Sequence, residues 1–316
     1  MIAVQVRHYG GPSGLVLEET PMPDLSPGEA LIKVHAAGVG PWDSLIRRGR
    51  SGLPQSLPLV LGSDIAGVVE RIEIAQQPAI EVGDAIFGVT NPSFTGGYAQ
   101  YAAASLRSIA PKPASLSFVE AASLPVVAVT AWQMLFDHAK VSANQTVAVQ
   151  GAAGNVGGYA VQLARWVGAR VIAIANSNDA AYLRGLGAAE IINSENERFE
   201  EHVSSVDAVI DTVGGEAQRR SFGIIKPGGI LVSSVSAPSQ ELAERYHVRT
   251  AYFVVVVTAE RLESIGRLVD QRVLKTDLGV ILPLEAVRTA HEMLAGTVPH
   301  PRGKIVLDVT MLEEKL

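Results

Sequence analysis

The chain of 316 residues contains no cysteine, which excludes disulfides, thiolate-bound metals, iron–sulfur clusters and thiol nucleophiles together. Redox chemistry therefore requires a bound organic cofactor. Aromatic residues are scarce at 5% and charged residues reach only 18%, yet 47% of the chain is hydrophobic, so a disordered or collagen-like protein is excluded despite 30 Gly and 17 Pro. No run of 18 apolar residues occurs, and none of the first ten residues builds the cationic, apolar start of a secretion signal. The expected address is cytoplasmic, with no membrane partner. Positive charge is in deficit: 26 Lys and Arg against 32 Asp and Glu leave a net charge of −6, a sign that disfavours nucleic acid as a partner. Any phosphate recognition must be local.

What is present reads as about two domains by length. Residues 1–118 carry short β-rich pieces, such as 30–36, separated by turn clusters at 10–14, 21–27, 54–58 and 91–97. That spacing predicts a mostly antiparallel β domain. From Ala121 the texture changes: an apolar stretch to Ala139 suits one buried helix, and strand-like and helix-like segments then alternate. Candidate strands at 146–150, 170–175, 190–192, 208–211, 229–233 and 251–257 predict an α/β architecture with a doubly wound parallel sheet. The sixth strand, with its run of four valines from Val254, is expected to be buried on both faces. Residues 259–273 read as an amphipathic helix and 302–309 as a final strand, so 119–258 is expected to be the nucleotide-binding domain and 259–316 a return to the first.

The most specific local signal is Gly151-Ala152-Ala153-Gly154-Asn155-Val156-Gly157, lying between a predicted strand and a predicted helix. In that order, free N–H groups and the helix dipole converge on one spot, an anion site suited to a dinucleotide pyrophosphate. Ala153, Gly154, Asn155, Val156 and Gly157 are the expected contacts. The alternative for a bare glycine turn is a turn and nothing more. At the end of the second strand, Asn176, Ser177 and Asn178 offer short polar groups and no carboxylate to repel a ribose 2′-phosphate, which favours NADPH over NADH. Capping and loop roles are the competing account. The carboxyl edge of such a sheet faces the cofactor, which nominates Val213, Gly214, Ser233 and Phe253, with packing the alternative for Phe253 and capping the expected task of Asp211.

Several further segments, in order, are Ala36-Ala37-Gly38-Val39-Gly40-Pro41-Trp42-Asp43, Leu61-Gly62-Ser63-Asp64-Ile65-Ala66-Gly67, Val82-Gly83-Asp84-Ala85-Ile86-Phe87-Gly88, Gly96-Gly97-Tyr98-Ala99, Leu124-Pro125 through Thr130-Ala131-Trp132, Asp211 to Gly215, and Arg302-Gly303-Lys304. With the glycine loop, this set resembles the zinc-free medium-chain dehydrogenase/reductase family, specifically its quinone oxidoreductase branch, from end to end. The resemblance implies a chaperonin-10-like β-barrel domain joined to a Rossmann domain with the active cleft between them, and a homodimer paired through the sheet edge. The segment at 254–257 is the one expected to pair. In zinc-dependent members a His-Glu pair follows the glycine where this chain has Ser63-Asp64, and cysteines supply other ligands. His291-Glu292 is followed by Ala295 where a metal-binding HExxH helix needs its second His, so no metal is expected.

Without a metal to polarise an alcohol, the expected chemistry is hydride delivery from NADPH to an acceptor that is already electrophilic, a quinone or an α,β-unsaturated carbonyl. The resemblance places Gly40, Trp42, Asp43, Asp64 and Thr130 near the nicotinamide. Asp43 either orients the substrate or caps a helix over 44–48, and Trp42 either stacks on a flat acceptor or packs as a core residue. Asp64, in an apolar segment, lies in the cleft or is tied to a buried partner. Thr130 bonds the cofactor or its own helix backbone. Lys304 reaches a cofactor phosphate or pairs on the surface. The family often has Asn where this chain has Gly40, leaving room that Trp42 could fill. Tyr98 is the tyrosine considered as proton donor, although Gly96-Gly97 beside it reads as a hairpin turn. A short-chain reductase is excluded because no Lys has a Tyr four residues before it. The alternative function is a non-catalytic NADP(H)-binding redox sensor or partner-binding protein.

Overall fold

The computed structural model describes residues 1–53, 55–73 and 80–315, the side chains of 177 and 313–315 excepted. The expected turn cluster at 54–58 thus begins at a residue, Pro54, outside the described set. Internal contacts divide the chain into two units, Met1–Val126 with Val257–Leu316, and Val127–Val256.

The first unit opens with β1 (Ile2–Val6), β2 (Leu15–Glu19), β3 (Glu29–Val39), α1 (Pro41–Arg47), β4 (Leu59–Val60) and β5 (Asp64–Glu73). It continues with β6 (Ala85–Val89), β7 (Tyr101–Ser105), β8 (Ile109–Pro111) and α2 (Phe118–Ala122). One described sheet runs β2-β1-β4, all antiparallel. The strand β3 organises the other. Along its full length one edge pairs antiparallel with β5, and its first half pairs on the other side with β7. Both edges of β3 are thus occupied, and it buries residues on both faces, with Ala30, Leu31, Ile32, Val34, Ala36 and Ala37 in the core. Gly96, Gly97 and Tyr98 donate their N–H groups to the carbonyls of Val60, Gly62 and Leu61. The expected hairpin turn at Gly96-Gly97 is therefore corrected: those glycines lie against residues 60–62, at and just beyond the end of β4.

The apolar stretch 121–139 is not one helix. It breaks at Ser123-Leu124, after which Pro125, lacking an N–H, opens α3 (Pro125–Trp132), and a π-helical turn over Gln133–His138 follows. Asp64 Oδ1 accepts the Val126 N–H at 3.0 Å and so satisfies a first-turn donor of the new helix.

The second unit alternates β9 (Thr146–Gln150), α4 (Asn155–Trp166), β10 (Arg170–Ala175), α5 (Ala180–Leu186), β11 (Glu190–Asn193), α6 (Phe199–His202), β12 (Val206–Asp211), α7 (Gly215–Ser221), β13 (Ile225–Ser233), α8 (Gln240–Tyr246) and β14 (Arg249–Tyr252). Its parallel sheet has the order β11-β10-β9-β12-β13-β14, the doubly wound arrangement with its switch point beside β9. Ile172, Ile174, Val209 and Leu231 form part of a buried cluster with Phe199 and Phe222.

The sixth strand differs from the expectation. It ends at Tyr252, so Phe253 lies beyond it, and Val254 and Val256 are 62% and 57% exposed rather than sandwiched. Gln133 Oε1 accepts the Val256 N–H at 2.8 Å, a bond outside the ladder. The chain then forms α9 (Ala259–Asp270), β15 (Leu278–Pro283), α10 (Val287–Leu294) and β16 (Lys304–Asp308). In the first unit β16 pairs antiparallel with the second half of β3 and parallel with β15, and so carries Lys304 into the barrel sheet.

Candidate functional site

In the second unit, strand register lines up the candidate cofactor contacts. Ile174, Gln150, Asp211, Ser233 and Tyr252 are successive partners across β10, β9, β12, β13 and β14. Asn176, Gly151, Val213 and Phe253 follow within two residues, so all emerge at the carboxyl edge of one sheet. Gly151 turns the chain at φ +69°, and Gly154 donates its N–H to the Gly151 carbonyl at 2.9 Å before capping α4. No side chain caps this helix, and Gly154 and Asn155 are exposed, so the first-turn N–H groups and the helix dipole face outward. A Cβ on Gly157 would overlap the Gly151 carbonyl and Ala152 Cα, so only glycine lets α4 approach the turn this closely. Thr212 Oγ donates to the Gln150 carbonyl at 2.7 Å and covers Gly151, a bracing residue that sequence reasoning missed.

Other candidates on this edge are occupied differently. Asp211, fully buried, accepts the N–H groups of Val213 and Gly214 at 3.0 and 2.8 Å and the Gln218 amide at 2.9 Å. Val213 therefore offers a 51% exposed side chain, while its N–H is turned back to Asp211. Ser233 is buried and its Oγ accepts from Val235 and Ser236 N–H, a local turn. Phe253 stacks on His138 with centroids 4.4 Å apart, which is the packing alternative. Thr130 is buried on α3. Exposed Asn176 accepts the Ser194 hydroxyl at 3.3 Å, and the Ser177 side chain lies outside the described set.

In the first unit a buried polar cluster surrounds the start of α1. Gly40 is the cap residue and Asp43 the third helical position, so the expected helix over 44–48 begins earlier, at Pro41. Asp43 Oδ2 accepts the Gly40 N–H at 2.8 Å and the Tyr98 hydroxyl at 2.8 Å, while its buried Oδ1 has no partner. Burial pushes the Asp43 carboxyl up to about 7; Gly40, Tyr98 and Lys304 act against that rise and Asp64 adds to it. Burial, with Asp43 beside it, raises the Tyr98 phenol well above its ordinary value.

Beside this pair, Lys304 Nζ bonds Asp64 Oδ2 at 3.0 Å, both side chains being almost wholly buried. Burial pushes the Asp64 carboxyl upward, against the Lys304 ammonium and the Val126 N–H. The same ammonium lies 4.3 Å from the centre of the Trp42 ring. Trp42 Nε1 donates to Ser63 Oγ at 3.3 Å. Trp42, Asp43, Asp64, Gly40 and Lys304 are thus brought together, and Lys304 is directed into the protein rather than toward a surface pair. On the far side of α1, the buried Arg47 donates to His291 Nδ1 at 3.3 Å and to the Gly10 carbonyl and Ser44 hydroxyl. Burial first, then Arg47 and Arg48, holds His291 down at about 3, so it is neutral with its proton on Nε2.

Residues 26–114 match the family model described as alcohol dehydrogenase GroES-like domain, and 186–307 the model described as zinc-binding dehydrogenase. Residues 115–220 match the model described as glutamate/leucine/phenylalanine/valine dehydrogenase. The chain is 30% identical over 309 residues to the quinone oxidoreductase of Pongo abelii, covering 92% of this chain and 93% of that protein. It belongs to the medium-chain dehydrogenase/reductase family, on its quinone oxidoreductase-like branch. A 2-methylene-furan-3-one reductase of Solanum lycopersicum is 34% identical over 75% of this chain and 64% of its own length. Among solved structures, the quinone oxidoreductase from Coxiella burnetii is 35% identical, covering 98% of this chain and 99% of that one, with a TM-score of 0.90. Medium-chain dehydrogenase/reductases of this kind are NAD(P)-dependent oxidoreductases, and the Gly151–Gly157 turn fits a dinucleotide. A zinc ion does not fit: the chain has no thiolate, Asp64 is committed to Lys304 and Val126, and Ser63 accepts from Trp42. Among the described residues no three His, Asp or Glu side chains converge as ligands. No described helix is long and apolar enough to cross a membrane.

Proposed function

We propose that this protein is a zinc-independent, NADPH-dependent oxidoreductase that delivers a hydride to a quinone or an α,β-unsaturated carbonyl. The observation carrying the reading is the uncapped start of α4, exposed at Gly154 and Asn155 and bent over by Gly151, in a chain whose relatives include quinone and enone reductases. Bound there, the nicotinamide cofactor supplies the hydride. The protein binds and orients. Backbone N–H groups of Ala153, Asn155, Val156 and Gly157 hold the pyrophosphate, Gly154 lets it approach the backbone, and the exposed Val213 side chain gives apolar contact. Asn176 and Ser177 receive the adenosine ribose, with no carboxylate from 176 to 178 to repel a 2′-phosphate.

Residues 119–258 serve as the nucleotide domain, while 1–118 with 259–316 supply the acceptor side. There Asp43 and Asp64 act as positioning residues: Asp43 fixes Gly40 and Tyr98, and Asp64 fixes Lys304 beside Trp42. An acceptor that is already electrophilic needs no Lewis acid. Asp43 and Tyr98 are sealed from solvent, so the product proton comes from water. The protein is proposed to act as a homodimer. Fluorescence titration with NADPH and NADH, followed by steady-state NADPH oxidation with quinones and 2-alkenals, tests the reading. Tighter NADPH binding with acceptor reduction is expected. Tighter NADH binding overturns the cofactor assignment, and binding without reduction of any acceptor restores the redox-sensor alternative.

A further inference from the structure

Gln133 and His138 are two of the few polar residues in the apolar stretch 121–139, and they stand five apart. On an α-helix that spacing turns two side chains about 140° away from each other, toward different surroundings. Here the helix is wound more widely: residues 133–138 form a π-helical turn, with the Ala139 N–H donating to the Met134 carbonyl at 3.0 Å. Bonds that reach back five residues bring positions five apart close to one face. Both side chains meet the same segment of the second unit. Gln133 Oε1 accepts the Val256 N–H at 2.8 Å, and the His138 ring stacks on Phe253 with centroids 4.4 Å apart and planes inclined by 29°.

The turn is also tied to α4. Phe136 packs edge-on against Trp132 at 4.8 Å and against Trp166, the last residue of α4, at 6.2 Å. The start of that helix is the proposed pyrophosphate cradle, so the turn joins the helix that carries the cradle to residues 253–256.

Resting on that proposed reading and deepening it, we infer that Gln133 and His138 are positioning residues for the nicotinamide half of the cofactor. The course of a dinucleotide along the sheet carries the inference. With the pyrophosphate at the Gly151 turn after β9 and the adenosine ribose at Asn176 after β10, the other half runs the opposite way, past β12 and β13 toward the end of β14. The ladder there ends with Ser233 opposite Tyr252, and the chain leaves its sheet. Beyond that point Gln133 and His138 grip it at two places three residues apart. A wall set before the cofactor arrives spares the ordering that a loose one undergoes on binding. Both contacts lie on the β14 side of the sheet, away from β10, so their effect belongs to one half of the cofactor.

The test measures binding of NADPH and of 2′-phospho-ADP-ribose, which lacks only the nicotinamide ring, by isothermal titration calorimetry. The wild type is compared with Gln133→Met, which keeps the side-chain length and loses the acceptor, with His138→Leu, and with His138→Phe, which keeps a flat ring. NADPH affinity is expected to fall about tenfold in Gln133→Met and His138→Leu and to be largely restored in His138→Phe, while affinity for the fragment stays at the wild-type value throughout. A merely structural role weakens both ligands together or neither, and either result overturns the inference while the proposed cofactor binding stands. A wild type that binds neither ligand overturns the proposed function, and this inference with it. Amide hydrogen exchange gives a second measurement: at Val256 it should accelerate about tenfold in Gln133→Met and stay unchanged within β9. Exchange that remains slow at Val256, or that accelerates equally through β9, sinks the clamp.

Discussion

Asp43 is a carboxyl group closed off from solvent, with one oxygen doubly bonded and the other unpaired, and its proton affinity follows from that. Its folded-state pKa stands near 7 against an ordinary value of 3.8, so between about pH 4 and pH 7 the folded chain keeps a proton that the unfolded chain has lost. The associated stability is fully present below about pH 4 and is lost as pH rises through 7. Asp43→Asn should remove this slope, leaving the variant less dependent on pH over that window by on the order of a few kcal/mol, as read by urea unfolding at intervals from pH 4 to 8. A variant curve parallel to that of the wild type refutes the assignment. His291 has the opposite sign: held down at about 3, it costs stability as pH falls from 6.5 toward 3, so His291→Gln should flatten the acid limb of the same measurement. The sequence showed an acid at a helix start, because Pro41 and Asp43 lie one and three residues after Gly40. It could not show Tyr98, whose hydroxyl arrives from 55 residues away and whose preceding glycines imitate a turn.

At the level of elements, the Asp64–Lys304 pair joins the start of β5 to the start of β16 and, through Val126, to α3. Breaking one side leaves a buried charge unmatched. Asp64→Leu and Lys304→Met should each cost about 3–5 kcal/mol, whereas the two combined should cost clearly less than the single losses added, as measured by urea denaturation. Strict additivity would show the two groups to be independent. On the nucleotide side, Gly157→Ala pushes a Cβ into the Gly151 carbonyl, which should destabilise by about 1–3 kcal/mol and weaken NADPH binding. Unchanged affinity in the folded variant counts against the α4 cradle. The glycine loop and the strands beside it were legible because strand, turn and helix are consecutive in the chain. The 121–139 stretch was misread although Pro125 marks its break in the sequence; what the sequence could not show is that Asp64, some 60 residues distant, takes the Val126 N–H, or that Asp64 pairs with Lys304 across 240 residues.

For the whole molecule, the sixth strand shows where hydrophobicity misleads and what its correction implies. The four valines from Val254 suit a buried strand by composition, yet β14 stops at Tyr252 and alternate valines face solvent. That strand is the edge of its sheet, so its outer side has no partner within the described chain. Gln133 Oε1 accepts the Val256 N–H and ties down the segment that follows β14, with Val254 and Val256 62% and 57% exposed. An apolar, exposed segment continuing an edge strand is the kind of surface that a second copy covers by presenting the same segment across a two-fold axis. The proposed homodimer is placed there on those grounds. Val254→Lys with Val256→Lys puts four like charges into such an interface, two from each copy, while both positions in an isolated chain remain in water. Sedimentation velocity should then show a monomer with an unchanged circular dichroism spectrum. A dimer that survives both lysines must be built on some other surface, and these valines would then need a different explanation.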